Sequence, residues 1–597
     1  MNPVLISETT VQGTIEKMNR NVIYAPVMNW ADFIALVNAQ AALGRAVQMG
    51  PGTWTCDAAV DLSSYATVIG GPDVRIVSTL TPSGSQTECV FIAAPVASAK
   101  SGTLSATPTV GGYTVSYAVA AGGAPVAGEI IKLSKTNSAQ TFVIKTVGGG
   151  GPNTLTLDRP VKAAFTSGDP MTVQTSRPTG ICIDGRGMQL SGTGDRFVEL
   201  SGAYDCHVSG LRVDAVDGNM SDMAMSFDIG SLDCSFTDCH VDAPGSGAQY
   251  FGIALEGSER CAIRNCVTNR AKEYGQVIVD GIDCTIVGGR ADAGAATDFA
   301  SGAFVLGTGA SLGCVDCVID DCHSNGGAGG CVIGLSQRSR VVNSSFNYAA
   351  ATGISCTGGA VSGASFGYVS AKGCAIGFNG GSSNTGTVVV GLDVSNSTSQ
   401  FLTTASDLDL VGLIAKKTAN TMSPCFGVTA AVKVRMRDVQ FSSTVADNVF
   451  GLSAAARVEV DGAMLALGNN SIAFYGTSGA GVFVTRNVVL SGTTGCTAAN
   501  LTATTLRYRE CDFSAPATLF TLGAGGYVNQ GTLVSGGAGA AQDVTWPDIK
   551  TTDHITWTRT VDGGVPGVMP LCTKTAATKF TATFSAGDTS TYEWRIE

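Results

Sequence analysis

The sequence predicts an all-β chain wound as a solenoid, with successive turns stacked as parallel strands. Two observations carry this. A ten-residue unit recurs as DCHVSGLRVD (205–214), DCSFTDCHVD (233–242), RCAIRNCVTN (260–269), DCTIVGGRAD (283–292) and DCVIDDCHSN (316–325), with a degraded copy, SRVVNSSFNY (339–348). Its second position is Cys206, Cys234, Cys261, Cys284 and Cys317, spaced by 28, 27, 23 and 33 residues. A local pattern returning at such a period is the signature of stacked repeats. Composition agrees: 77 glycines and only 14% charged residues suit an elongated β protein with tight turns.

Each unit reads as two short strands with a bend between them. Positions 2 and 4 (Val208, Phe236, Ile263, Ile286, Ile319) point one way, because strand side chains alternate. Position 7 (Leu211, Cys239, Cys266, Gly289, Cys322) and position 9 point inward again, so the phase slips by one residue at the bend. Equivalent positions then stack about 4.8 Å apart, and the cysteines form an interior ladder. The CxxC of Cys314 and Cys317 invites a zinc reading, but no second CxxC follows at finger spacing. The odd total of 19 cysteines reads as buried, reduced thiols, made in a reducing cytoplasm.

Charge and hydropathy exclude several classes. Net charge is −11 with no basic cluster along the chain, which argues against a nucleic-acid partner. No apolar run of about 18 residues exists, so no membrane insertion is expected. The opening MNPVLISETTVQGTIEKMNRN lacks a basic-then-apolar pattern, so export by the usual route is not expected.

In chain order, residues 1–28 have no strong period and read as an attachment segment. From Asn29, a possible N-cap, NWADFIALVNAQAALGRA reads as an amphipathic helix with Phe33, Leu36, Val37 and Ala41 on one side. This helix and the first coils fill residues 29–84, where the helix would cover the open end of the solenoid. Residues 85–178 break the rhythm with alternating runs such as IIKL and TLTL, and read as an inserted small β domain. The coil returns over 179–540. Its later turns are looser, among them VKVRMRDVQF (432–441), VFVTRNVVL (482–490), LRYRECDF (506–513) and YVNQGTLV (527–534). Residues 541–597 are alternating and aromatic and read as a terminal β-sandwich module.

The helix, PGTW (51–54), the next strand and VIGG (68–71) resemble the start of the pectate-lyase-like right-handed parallel β-helix, which phage tailspikes share. Through the coil repeat the resemblance extends over most of residues 29–540. It implies a right-handed winding, a homotrimer, a virion location, and tail or baseplate partners held through the N-terminus. One fold hosts many functions, so the chemistry must be read from the site.

A third strand precedes each unit: RFVELSG (196–202), SFDIGS (226–231), IALEGS (253–258) and VIVDGI (277–282). These carry Glu199, Asp228, Glu256 and Asp280, spaced by 29, 28 and 24 residues, close to the cysteine steps. They are expected to form one outward column. The turn after each acid shortens coil by coil, which could slip the register. Like charges about 4.8 Å apart are costly unless a proton or a cation such as calcium intervenes, or the side chains splay into solvent. The reading adopted is proton sharing in a glycan-cleaving site, with no metal and no cofactor. Asp228, Glu256 and Asp280 are its core, Glu256 is the proton donor and Glu199 the outlying member. Neighbouring coils give about 5 Å between carboxylates, near the retaining value, and coils two apart about 9.5 Å, at the edge of the inverting range.

Loops entering these strands carry Gln249, Tyr250, Lys272, Tyr274 and Phe299, expected to bind sugar through aromatic faces and polar rims. A second column, Arg212, His240, Arg290 and His323, reads as a solvated face, or else as a site for anionic sugars or a lyase base. The sequence thus points to a tailspike or receptor-binding protein that grips, and by hydrolysis depolymerises, a bacterial surface polysaccharide. The alternatives are a non-enzymatic adhesin or structural tail protein, and a polysaccharide lyase.

Overall fold

The computed structural model describes residues 21–83, 88–135, 138–148, 153–220, 223–242, 251–307, 313–357, 359–419, 421–422, 424–476, 481–492, 494–502, 504–513, 518–522, 527–528, 530–534, 541–545, 554–561, 569–575, 579–584 and 590–596. The chain divides into two compact units, residues 1–402 with 407–409, and residues 403–406 with 410–597.

The first unit is a parallel β-solenoid with three strands per rung. One rung comprises Met223–Asp228, Ser235–Thr237 and His240–Asp242, and the next Phe251–Glu256, Ala262–Arg264 and Val267–Asn269. Val208, Phe236, Ile263, Ile286, Ile319 and Val341 pair in register as one buried column. The phase slip has a backbone cause. The residue at each bend (Gly210, Asp238, Asn265, Gly288, Asp321, Asn343) has a φ between 51° and 67°. The left-handed region costs most L residues about 1–2 kcal/mol, and Gly, Asn and Asp enter it most readily. A second bend column, Asp205, Asp233, Arg260, Asp283, Asp316 and Arg338, is also left-handed. Its two arginines grip the aspartate one rung earlier, Arg260 on Asp233 and Arg338 on Asp316, each at 2.7 Å.

Cysteines 206, 234, 261, 284 and 317 are buried, and each Sγ donates to the carbonyl two residues earlier, at 3.3–3.6 Å. The second cysteine column repeats the contact at Cys239, Cys266 and Cys322. The ladder thiols therefore close the tight turns while filling the interior. Cys314 donates to the Ile278 carbonyl at 3.2 Å.

The helix spans Trp30–Ala41, and the Asn29 side chain accepts from Ala31 N and Asp32 N. Its buried side is Trp30, Phe33, Ile34, Val37 and Ala41, whereas Leu36 is only partly covered. Trp30 meets Phe91 at 5.6 Å and Phe33 meets Trp54 at 5.0 Å, so the helix packs on early solenoid strands.

Between Val96 and Ser176 six antiparallel strands close into a barrel. Its core of Leu104, Ile131, Phe142 and Leu155 runs into the solenoid through Ile282 and Val315. Polar contacts anchor the same junction. Arg159 and Gln140 hold the buried Glu259 at 3.0 and 3.2 Å, Lys162 pairs with Asp283, and Arg177 lies over the Tyr204 ring. Tyr204, Leu232, Glu259, Ile282 and Val315 are bridged into one column at the turn after the acid-bearing strands. The barrel is thus rooted beside the ends of those strands.

The second unit continues the parallel pattern. Lys433–Ser443 pairs with Arg457–Asp461, which pairs with Val482–Arg486, then Thr505–Arg509. Phe426, Phe450 and Phe474 stack at 5.0 and 5.5 Å. A buried ion pair joins Lys417 to Asp447 at 2.7 Å, and Met422 N and Ser443 Oγ also donate to Asp447. At its end lie two three-stranded antiparallel sheets packed through Trp557, Phe580, Tyr592 and Trp594. Here the sequence reading needs correction. Gln530–Val534, read as a solenoid coil, pairs antiparallel with Thr591–Ile596. Period-2 alternation does not distinguish a coil strand from a sandwich strand.

Candidate functional site

The third-strand sheet of the first unit presents its outer face in two columns. One runs Glu199, Ser226, Ala254, Val277, Val305, Val332 and Ser355. The other begins at Ser201, which pairs with Asp228. Phe227 pairs with Leu255, which makes Glu256 the neighbour of Asp228, and Glu256 pairs with Val279. The expected single column of four acids therefore does not form. Glu199 stands in the adjacent column, over Ser226. Asp280 falls one residue past Val279, has φ 51°, is buried, and accepts from Gly313 N at 2.6 Å through Oδ1. Glu199 lies two residues before Ser201, the partner of Asp228, and Asp280 lies one residue past Val279, so unequal coil lengths carry both acids out of the column. Asp228 and Glu256 remain side by side.

The structure nonetheless joins Glu199 to Asp228 diagonally, through a residue the sequence reading did not select. Arg196 is fully buried, and its Nη1 lies 2.5 Å from Asp228 Oδ2, 2.8 Å from Ser226 Oγ and 3.7 Å from Glu199 Oε2. Cys89 Sγ also donates to Glu199, at 3.6 Å. Burial, then the Asp228 charge, pushes the Glu199 carboxyl up to about 8, against the pull of Arg196. Burial likewise lowers the barrel's Lys132, while its attraction to Asp228 opposes the fall. The cluster can hold one proton on Glu199 near neutral pH, beside a carboxylate clamped by a guanidinium. The available signal was an arginine opening the strand that carries Glu199, since a buried guanidinium needs a carboxylate partner. Lys132 lay in the inserted domain, and nothing local linked it to this face.

Further along the same face lies an apolar patch of Met223, Ala254, Val277, Val279 and Val305, with Phe251, Tyr274 and Val332 packed on it. Phe251 and Tyr274 stack at 4.7 Å. A groove of about 320 Å³ opens here, with Val305 and Val332 on its floor, Tyr274 at one side, and Ser301, Thr352 and Thr357 among its rim. The column of Asp228, Glu256 and Val279 leads to Gly307 at the groove's edge, because Ile278 pairs with Leu306.

Of the expected sugar-binding residues, Tyr274 lines this groove and Lys272 is exposed on the loop before it. Phe299 is a correction. It is fully buried, its ring pressed against Gly275 and Gly327, where a Cβ would come within 3.2 and 2.9 Å of it. The ring packs the loop and offers no face to a sugar. Gln249 and Tyr250 lie outside the described residues. Among the described residues no group of three or more His, Cys, Asp or Glu is placed to hold a metal ion.

No family model matches the chain, and no curated protein matches it. Comparison with solved structures finds phage tailspikes. The gp49 tailspike of Pseudomonas phage LKA1 is 14% identical with a TM-score of 0.46, covering 95% of this chain and 92% of that one. The gp61 tailspike of Pseudomonas phage phi297 is 12% identical at 0.44, covering 94% and 91%. The gp54 tailspike of Acinetobacter baumannii phage AP22, solved with A. baumannii capsular saccharide, is 11% identical at 0.42, covering 97% of each. The fold assignment here rests on the strand pairings alone.

Proposed function

We propose that this chain is a tailspike-type phage tail protein that binds a bacterial surface polysaccharide along the third-strand face of its first unit. The observation that carries this is the groove beside Tyr274. It has an apolar floor, an aromatic wall and a hydroxyl rim, and among the described residues no charged side chain lines it. Sugar rings have apolar faces and polar edges, and such a lining matches both. Saccharide stretching past the groove would next meet Glu256 and Asp228, one strand spacing apart at about 4.8 Å.

A second reading adds hydrolysis, and the Glu199–Asp228 pair favours it. Glu199, titrating at about 8, holds a proton near neutral pH and can give it to a glycosidic oxygen. Asp228 then faces the developing positive charge, the two carboxyls being held on the same Arg196 Nη1, at 3.7 and 2.5 Å. The proton is assigned to Glu199 in place of Glu256 because burial and the Asp228 charge act on Glu199. Asp280 anchors the Gly313 loop in this scheme.

The test uses the full chain with purified capsules and lipopolysaccharides from a panel of bacteria. Binding to at least one, weakened about tenfold or more by Tyr274→Ala, is expected, and no binding across the panel overturns the proposal. New reducing ends that disappear in Glu199→Gln and Asp228→Asn support hydrolysis. Binding without fragments removes the hydrolytic reading, and a new unsaturated-uronate absorbance replaces it with a lyase.

A further inference from the structure

The second unit carries a cationic face that is invisible along the chain. Three outward columns cross its stacked strands. Lys433 pairs with Arg457; Arg435 with Glu459, then Val484 and Arg507; Arg437 with Asp461, then Arg486 and Arg509. Seven cations against two acids give 7 − 2 = +5 on these strands, or +3 counting the turn residues Asp438 and Glu510, in a chain of net −11. A depression of about 240 Å³ opens among them, with Val484 in its lining.

The ion pairs within this face are unevenly shared. Glu459 takes Arg457 at 2.7 Å and both Lys433 and Arg435 at 3.3 Å. Asp461 Oδ1 accepts from Asn487 at 2.9 Å. The side chains of Arg437 and Arg486, on either side of Asp461, have no ion pair or hydrogen bond among the described residues, and both residues are exposed. Arg486 is also paired in register with Arg509, a like-charge contact that the exposed Arg509–Glu510 pair at 3.1 Å offsets only in part. A bound anion would relieve that repulsion. Arg437 and Arg486 are two strands apart, about 10 Å along the stack, a span that two acidic groups on one polymer fit better than a single small ion.

We infer that this face binds an acidic polysaccharide, with Arg437 and Arg486 each gripping a carboxylate or sulfate and Val484 lying under the sugar ring. Arginine suits this role because its planar fork meets such anions bidentately. A single-stranded nucleic acid is the lesser fit. Its binding faces rely on exposed aromatics, and the aromatic ring on these strands nearest the cations, Tyr508, is buried. The inference takes from the proposed function only the class of polymer, and it uses a different face.

The test measures binding of the full chain to polygalacturonate, heparin, fully methyl-esterified polygalacturonate and a single-stranded oligonucleotide, at 50 and 300 mM salt. At least one acidic polysaccharide is expected to bind, more weakly at high salt, and the esterified polymer not to bind. Arg437→Gln/Arg486→Gln should weaken binding at least tenfold, and the double Lys variant less. Unchanged thermal midpoints verify that the variants fold. Equal binding of the esterified polymer, tighter binding of the oligonucleotide, undiminished binding by the Gln variant, or no binding of either acidic polysaccharide would overturn the inference. Loss in Tyr274→Ala alone would instead assign the binding to the groove of the first unit.

Discussion

Replacing Glu199 with glutamine removes a titrating proton while keeping the shape of the side chain. In the folded chain this carboxyl titrates at about 8, against an ordinary value of about 4.5. The folded state therefore keeps a proton that the unfolded chain releases between those two values. Stability is highest below about pH 4.5, falls as pH rises, and levels off above about 8. From pH 5 up to about 8, a span of about 3 in pH at 1.36 kcal/mol each is on the order of 4 kcal/mol. With an unfolding entropy of about 2.1 cal/mol/K per residue over roughly 400 residues, that is a midpoint change of roughly 5 °C. Thermal unfolding followed by circular dichroism from pH 5 to 9 is the assay. The wild type should lose roughly 5 °C more than Glu199→Gln across that range. Parallel curves would refute the reasoning, because they would mean that the carboxyl is neither buried nor charged against Asp228. If the chain cleaves glycans, cleavage should decline as pH rises through about 8, where Glu199 of the folded chain loses its proton.

The buried Lys417–Asp447 pair makes a separate prediction. Asp447→Asn or Lys417→Met alone should cost about 3–5 kcal/mol, seen as earlier thermal unfolding and faster proteolysis of the second unit, while Lys417→Met/Asp447→Leu should recover most of that loss. The thiols give another. Sixteen of the 19 cysteines are buried, and only Cys182, Cys511 and Cys572 are partly exposed. A thiol reagent should therefore label at most about three sites in the native chain and all 19 in denaturant.

Much of the fold was legible because a solenoid repeats one local environment. An inward position on one rung is inward on the next, and Cys206, Cys234, Cys261, Cys284 and Cys317 appear as a column before any coordinates exist. The bend was legible as a phase slip within each unit, while the backbone showed that left-handed Gly, Asn and Asp residues make it. The helix over residues 30–41 followed from its cap and spacing. The acids were found, but their column was not. Register across rungs depends on turn length: a two-residue offset leaves Glu199 over Ser226, and a one-residue offset drops Asp280 into the turn. Phe299 was misjudged because a loop aromatic looks the same in sequence whether it faces solvent or packs against glycines.

The sequence alone determined the winding, the interior columns and the turn chemistry, all set by contacts that recur at each rung. Only the tertiary structure decided that Arg196 clamps Asp228, that Lys132 approaches from the inserted barrel, and that Arg437 and Arg486 share one face. The reason is physical. Electrostatic neighbours act across space over a few ångströms, and the strands that supply them lie tens of residues apart along the chain.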